Sequence, residues 1–337
     1  MKQLNFFDKL IFLLNSGVST LLLLSYALPF LPPKTFSYLA VLSLAVPFLI
    51  LINLAFCVFW LIKIKRQFLL SALVLALGYS HLSSLYKFSS DSIHTTDNGV
   101  SFISYNVRLL NLYHWIEDDS IPEKISRFIN ENSPDILVVQ EYNSSRAKKL
   151  DYPFVFSTGV ETKSELVIFS KFPFLNTGII KFPNSANSAI YADVLIKSDT
   201  LRVYNIHLQS SGINPDVQQL DSKTSDRLFK RLSSTFIAQQ DQAELLVKHL
   251  RNSPYKTVLS GDFNNTAHSF VYRLLKSDFQ DAFEVAGKGF GRTFSFDYFP
   301  LRIDFILVDN ALSVRNFQNH DVLYSDHFPI SASIEIN

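Results

Sequence analysis

Three long apolar runs open the chain, after which its character changes. Leu10 to Leu31 contains no charged residue, and neither does Phe36 to Ile62, which as one helix would reach roughly 40 Å at about 1.5 Å per residue. A third run starts at Phe68, stays strongly apolar to Gly78 and weakens through Ser80, His81, Ser83 and Ser84. The pattern predicts three transmembrane helices, with an interfacial or re-entrant segment as the alternative for the third. The apolar material far exceeds a signal-peptide core and resumes after Pro32-Pro33, which argues against a cleaved leader. Ser89 to Asn98 is polar and unpatterned and reads as a linker. The chain thus divides into a membrane segment (1–88), a linker (89–98) and a domain (99–337).

From Val100 onward short buried runs alternate with helical spacing. Val100–Val107, Ile136–Val139, Phe154–Phe156, Leu166–Phe169, Ile190–Ile196, Val203–Leu208, Thr257–Leu259, Ile303–Val308 and Ile330–Ile336 read as strands. Helical patterns cover Pro122–Asn132, with Pro122 suited to a first turn, about Ser222–Leu250, and about His268–Leu275. This is an α/β (α+β) pattern whose strand number suits two packed sheets covered by helices. Several buried runs end at residues of catalytic type: Asn106, Glu141, His207, Asp262 and Asn264. That is what a site built on one edge of a sheet layer looks like.

Charge bears on topology and partners. Lys63, Lys65 and Arg66 lie between the second and third runs, Lys2 and Lys9 precede the first, and only Lys34 lies between the first two. Basic flanks stay cytoplasmic, so three spans put the domain outside and two would keep it inside. Residues 1–86 hold six Lys or Arg and one acid, leaving 25 basic and 29 acidic residues beyond, a net of −4. That balance lacks the gross signature of a nonspecific nucleic-acid binder. Cys57 is the one cysteine, so intramolecular disulfides and Cys-based zinc sites are excluded. The apolar spans contain no paired ionisable residues, which weakens a transporter or channel reading.

Ser260-Gly261-Asp262-Phe263-Asn264-Asn265 is the stretch richest in chemistry. Gly261 permits a sharp turn as the strand ends. Asp262 and Asn264 are two residues apart, so alternation would aim both the same way. The carboxylate can take a proton from water, and the amide can position a phosphate without repelling it. A capped turn with Asp262 as N-cap explains the same residues about as well.

Six segments occur in order: Ser104-Tyr105-Asn106-Val107-Arg108, Val139-Gln140-Glu141, Asn205-Ile206-His207-Leu208, Ser260-Gly261-Asp262-Phe263-Asn264, Arg302-Ile303-Asp304-Phe305-Ile306 and Ser325-Asp326-His327-Phe328-Pro329. Together they resemble the motifs of the endonuclease/exonuclease/phosphatase family, over about residues 98–337. The membrane-anchored arrangement is similar to members common in Bacteroidetes genomes. The resemblance implies a four-layer αββα sandwich of the DNase I-like type behind an all-α membrane segment.

It also implies roles. Glu141 would bind Mg²⁺, with Mn²⁺ as the alternative; Asn106 would help position metal and phosphate, and Asp326 would sit near the metal. Asp262 would orient or deprotonate the attacking water, and Asn264 would hold the scissile phosphate. His327 would contact phosphoryl oxygens, with Asp304 fixing its tautomer. His207 would protonate the leaving oxygen, the competing reading being a buried His bonded to backbone. Arg108 and Thr293 would support the phosphate. The expected protein is a metal-dependent phosphodiesterase of nucleic-acid endonuclease type. Phospholipid or sphingomyelin headgroup hydrolysis, a small-phosphoester phosphatase and a non-catalytic binding module are the alternatives. Its expected partners are the phosphodiester substrate, nucleic acid or phospholipid, and the bilayer; no obligate protein partner is inferable. The expected location is multi-pass in the inner membrane, with the domain on the periplasmic side.

Overall fold

A computed structural model describes residues 4–88, 99–159, 163–212, 222–296 and 299–336. The linker expected at 89–98 lies outside the described residues. The N-terminal segment is helical: α1 (Phe6–Ser25), α2 (Pro33–Val41), α3 (Val46–Ile62), α4 (Phe68–Leu77) and α5 (Tyr79–Leu85). Phe6–Phe30 and Pro33–Ile62 are long and apolar enough to cross a membrane, and α4 with α5 makes a third candidate bent by 80°. The second apolar run is not one straight rod, as its hydropathy suggests. Phe36 leaves helical geometry, residues Leu42–Ala45 tighten into a 3-10 turn, and Pro47 starts α3 in the first-turn position.

Within the bundle, α1, α3 and α4 share a buried polar network. The Asn15 side-chain amide donates to the Ser71 and Ser19 hydroxyls (2.7 and 3.1 Å), Ser19 donates to Asn53 Oδ1 (2.7 Å), and Trp60 Nε1 donates to Asn15 Oδ1 (3.0 Å). In an apolar surround each of these groups needs an internal partner. Lys63 pairs with Asp8, so the start of α1 and the basic loop share one end of the bundle.

The rest of the chain runs β1 (Tyr86–Lys87), β2 (Val100–Asn106), α6 (Ile121–Asn132), β3 (Ile136–Tyr142), β4 (Phe154–Ser157), β5 (Glu165–Ser170), β6 (Phe174–Lys181), β7 (Ser188–Ile196) and β8 (Asp199–His207). It continues with α7 (Ser222–Arg251), β9 (Lys256–Asp262), α8 (Phe270–Lys276), β10 (Phe279–Asp281), α9 (Ala282–Ala286), β11 (Gly289–Phe290), β12 (Phe294–Phe296), β13 (Phe299–Leu301), β14 (Asp304–Asp309), β15 (Ser313–Asn319) and β16 (Ile330–Glu335). Two six-stranded sheets form a sandwich, ordered β15-β16-β2-β3-β5-β4 and β10-β14-β9-β8-β7-β6. Each has one parallel pair at its centre, β2 with β3 and β8 with β9. Parallel neighbours end at the same edge, so both pairs deliver their C-termini to one place.

Two-residue alternation explains what reaches that place. Val100, Phe102, Ile136 and Val138 of the first sheet pack against Val203, Val258, Ile306 and Val308 of the second in the central core. The outward-facing residues pack under helices: Ile103, Tyr105, Leu137 and Val139 with α6, and Tyr204, Ile206, Leu259 and Phe305 with α7 and α8. Continuing along the inner faces, the apolar layers give way to Ser104, Gln140, Asn205 and Ser260, all buried. Gln140 Nε2 donates to Asn205 Oδ1 (2.7 Å), and Asn205 Nδ2 donates to the carbonyls of Val139 and Val167 (2.8 and 2.9 Å), bolting sheet to sheet. The next inward positions are Asn106, His207, Asp262 and Asp304.

The helical segment is docked on this sandwich. Lys34 at the start of α2 pairs with Asp241 and Glu244 on α7 (2.7 and 2.6 Å), and Ala40 and Val41 pack on Leu232 and Phe236. The Arg302 guanidinium donates to Asp281 (2.5 Å) and to the Ser84 carbonyl at the end of α5 (3.1 Å). Asn205→Leu strands two buried carbonyls and the Gln140 amide, and is expected to cost about 2–4 kcal/mol. Denaturation of the solubilised full-length protein measures it; an unchanged melting point would show that the amide bolts are dispensable.

Candidate active site

Each site residue arrives by a local feature. Asn106 ends β2 and is buried, and its carbonyl is held by the Ser325 hydroxyl (2.9 Å). Glu141 follows Gln140, so strict alternation would send it outward. A bulge between Val139 and Tyr142 and a backbone φ of 50° at Glu141 turn its carboxylate back into the pocket. Asn106 Nδ2 then donates to Glu141 Oε1 (3.2 Å) and to Asp262 Oδ2 (3.0 Å), joining the two sheets at the site.

Gly261 does not turn the chain at this point. It sits within β9 at φ 139°, where an added Cβ would lie 2.1 Å from the Ile206 carbonyl, so glycine is required for β8 and β9 to approach. Nor do Asp262 and Asn264 converge by alternation. Asn264 lies beyond the strand at φ 50°, which folds its backbone N–H and its amide onto Asp262 (2.7 and 3.2 Å). Asn264 is steadied by Gln239 of α7, which donates to its carbonyl (3.1 Å) and accepts from Asn265 (2.7 Å). Gln239 sits inside a long helix, with no local motif to single it out.

Asp304 opens β14 opposite Asp262 and holds His327 Nδ1 at 2.9 Å. Thr293 is fully buried, and its hydroxyl accepts from the backbone N–H groups of Ile303 and Asp304 (2.9 and 3.0 Å). It therefore meets the pocket through Asp304. His207 Nε2 lies 3.6 Å from Asp262 Oδ2 and 3.8 Å from Glu141 Oε1, buried with no hydrogen-bond partner. Arg108 pairs with Asp326 (3.2 Å) and lies over the Trp115 ring at 4.3 Å. All ten residues expected at the site thus lie at this edge or directly behind it.

The electrostatics follow from crowding carboxylates in a poorly hydrated space. Burial and the neighbouring Asp304 charge push the Asp262 carboxyl up to about 6. Burial raises Glu141 as well, partly offset by His327 and the Asn106 amide. For His327, burial favours the neutral ring, but Asp304 and Asp262 outweigh it and raise the imidazolium to about 10. At His207 burial outweighs the nearby Asp262 charge and holds the ring below the ordinary histidine range. The two histidines are thus driven apart, one charged and one neutral at pH 7.

Among the described residues one acid–histidine cluster has metal-binding spacing. Donor atoms of Asp262, Asp304 and His327 lie within 4.8 Å of one another. The His327 nitrogen facing Asp304 is already engaged, which favours a charge-paired triad there. Glu141 and Asp326 line the same pocket with carboxylate oxygens, the donor type that suits a cation keeping several waters, while Asn106 faces Glu141 through its amide N–H. The adjoining cavity of about 330 Å³ is lined by Glu141, Asp262, Asn264, Asp326 and His327.

Two sheets in a sandwich with acid, amide and histidine side chains at one end define a hydrolase-type site of the DNase I-like class. Residues 103–327 match the family described as Endonuclease/Exonuclease/phosphatase family, and the chain belongs to that family. Residues 8–85 match a domain of unknown function (DUF8431). No curated protein matches the chain. Solved structures share the fold. D. rerio TDP2 complexed with single-strand DNA product is 17% identical with a TM-score of 0.56, covering 71% of this chain and 100% of its own. An endonuclease/exonuclease/phosphatase family protein from Bacteroides thetaiotaomicron is 16% identical with a TM-score of 0.55, covering 71% and 98%. The mannosyl-6-phosphatase of the same organism is 17% identical with a TM-score of 0.53, covering 70% and 100%.

Asp304 is the main charge sustaining the His327 imidazolium. A ring whose folded pKa is raised stays protonated below its unfolded value and loses that proton only as pH climbs toward 10. In Asp304→Asn the proton is expected to leave at a lower pH, by at least one unit. Nitrogen-labelled histidine NMR of the metal-free protein reads this directly, and identical titration in both proteins would refute the pairing.

Proposed function

We propose that the protein is a membrane-anchored, divalent-cation-assisted phosphodiesterase. The observation that carries this reading is the Asn106 amide, which binds Glu141 of one sheet and Asp262 of the other. It makes a single site of two half-sites that neither sheet could assemble alone. Family membership supports phosphoester hydrolysis as the reaction.

In this reading Glu141 and Asp326 would hold the cation, most simply Mg²⁺, with Asn106 orienting Glu141; when bound, the cation would polarise a phosphoryl oxygen and offset developing negative charge. Asp262 serves as base: at pH 7 it is ionised, yet its raised pKa keeps it a better proton acceptor than an exposed aspartate. Asn264 keeps it oriented and offers amide contacts to the phosphate. The His327 imidazolium, fixed by Asp304, faces the non-bridging oxygens, where its charge counts most in the transition state. His207 is neutral before substrate arrives. An anionic phosphate beside its unpartnered Nε2 raises its proton affinity and suits it to protonate the departing oxygen. Arg108, steadied by Trp115 and Asp326, lies at the rim as a further phosphate contact.

For location, the shared end of the bundle formed by Asp8 and Lys63 carries Lys63, Lys65 and Arg66. Retention of basic loops in the cytoplasm supports an inner-membrane protein crossing three times, with its domain in the periplasm. Alkaline phosphatase fused after residue 92 is expected to be active in whole cells; an inactive fusion would sink the three-span topology.

The catalytic reading is tested with full-length protein in nanodiscs on bis(p-nitrophenyl) phosphate, with and without Mg²⁺. Asp262→Ala is expected to lose about 10²–10⁴ in kcat. Glu141→Gln is expected to require more Mg²⁺ for half-maximal rate. Undiminished turnover in Asp262→Ala would overturn the assignment.

A further inference from the structure

The cavity at the catalytic residues has a second wall, and it comes from the N-terminal helical segment. Leu44, in the 3-10 turn before α3, and Phe48, in the first turn of α3, both line it. Opposite them are Leu232 and Phe236 of α7, and Leu301 closes the side. Phe48 stacks on Phe299 with ring centroids 3.7 Å apart, yet remains 40% exposed. The cavity therefore has a polar end of carboxylates and imidazole and an apolar end continuous with a helix long and apolar enough to enter a bilayer.

We infer that residues 44–48 form a hydrocarbon-chain subsite, and that the substrate is a phosphodiester carrying a long alkyl or acyl chain. This rests on the phosphodiesterase reading above and narrows it to a substrate class. The subsite falls where α2 passes through the 3-10 turn Leu42–Ala45 into α3. A chain leaving the bilayer beside α3 can pass Phe48 and Leu44 while its phosphate reaches Asp262 and His327. The alternative occupant, a polynucleotide, fits poorly. It carries charged phosphates on both sides of the scissile one, whereas no Lys or Arg is among the described residues lining the cavity and the one at its rim, Arg108, is paired with Asp326. Burying such a charge against Leu44 and Phe48 is costly without a partner. Asn264, Asn265 and Thr266 at the cavity provide polar contacts suited to one headgroup.

The test uses full-length protein in nanodiscs with p-nitrophenyl alkyl phosphodiesters running from methyl to octyl. Each buried methylene contributes about fourfold, so kcat/KM is expected to climb steeply over the first several carbons. Phe48→Ser is expected to reduce the octyl-to-methyl ratio at least tenfold. Partitioning into the bilayer is common to both proteins, and the ratio cancels any general loss. An octyl phosphate tipped with a diazirine supplies a readout independent of turnover, with labelling expected within 44–48 or 232–236 by mass spectrometry. A flat chain-length profile with the methyl ester still hydrolysed overturns the subsite and leaves the phosphodiesterase standing. So does labelling confined to the outer faces of α1 and α4, or a kcat/KM on plasmid DNA or RNA above that of every ester. No turnover of any ester, methyl included, sinks the phosphodiesterase reading itself.

Discussion

The alternation of inward and outward residues along β2, β3, β8, β9 and β14 is the constraint on which the rest depends. Because the two sheets face each other, one periodicity sets three successive layers: an apolar core, a band of amides and hydroxyls, then acids and histidines. The middle band makes the transition tolerable. Gln140 and Asn205 satisfy one another and the adjacent carbonyls, so polarity rises without leaving the sheets unpaired. Asn106, His207, Asp262 and Asp304 thereby stand on strands instead of loops, which fixes their geometry.

At the open end the difficulty is like charge. Glu141, Asp262 and Asp304 are brought together with little water to screen them, and Asp262 shows the strain in its raised pKa. The protein answers with one imidazolium and a shared amide. His327 offsets one charge of the Asp262–Asp304 pair, and Asn106 separates Asp262 from Glu141 by standing between them as a donor to both. What remains uncompensated is negative charge shared by Glu141 and the Asp262–Asp304 pair.

Much of this was legible in the sequence, for a physical reason. Central strands are buried on both faces, so Ile136–Val139 and Val203–Leu208 stand out in the sequence, and a site residue lies near the end of each, Glu141 two positions beyond the first and His207 just inside the second. Edge strands are less marked, although Phe154–Phe156 was readable. Phe174–Lys181 buries one of its residues and Ser313–Asn319 alternates weakly, and neither was evident. The placement of Glu141 depended on a bulge, and that of Asn264 on a positive φ, features that neither hydropathy nor motif order encodes. The role of Gly261 was likewise hidden, since only the neighbouring Ile206 backbone reveals that a side chain has no room. The apolar runs fixed how much chain a bilayer could hold, but not the bend at Gly78 or the break before Pro47.

The polar network inside the bundle has a mechanical consequence. Asn15, Ser19, Asn53, Trp60 and Ser71 satisfy one another in a single rotational setting of α1, α3 and α4. Rotating α1 by one residue, about 100°, would leave its amide and hydroxyl without these partners. The network thus acts as a key that indexes the helices, and α3 is the helix bearing Phe48. The bundle sets the angle at which it meets the catalytic sandwich, as a jig sets a tool.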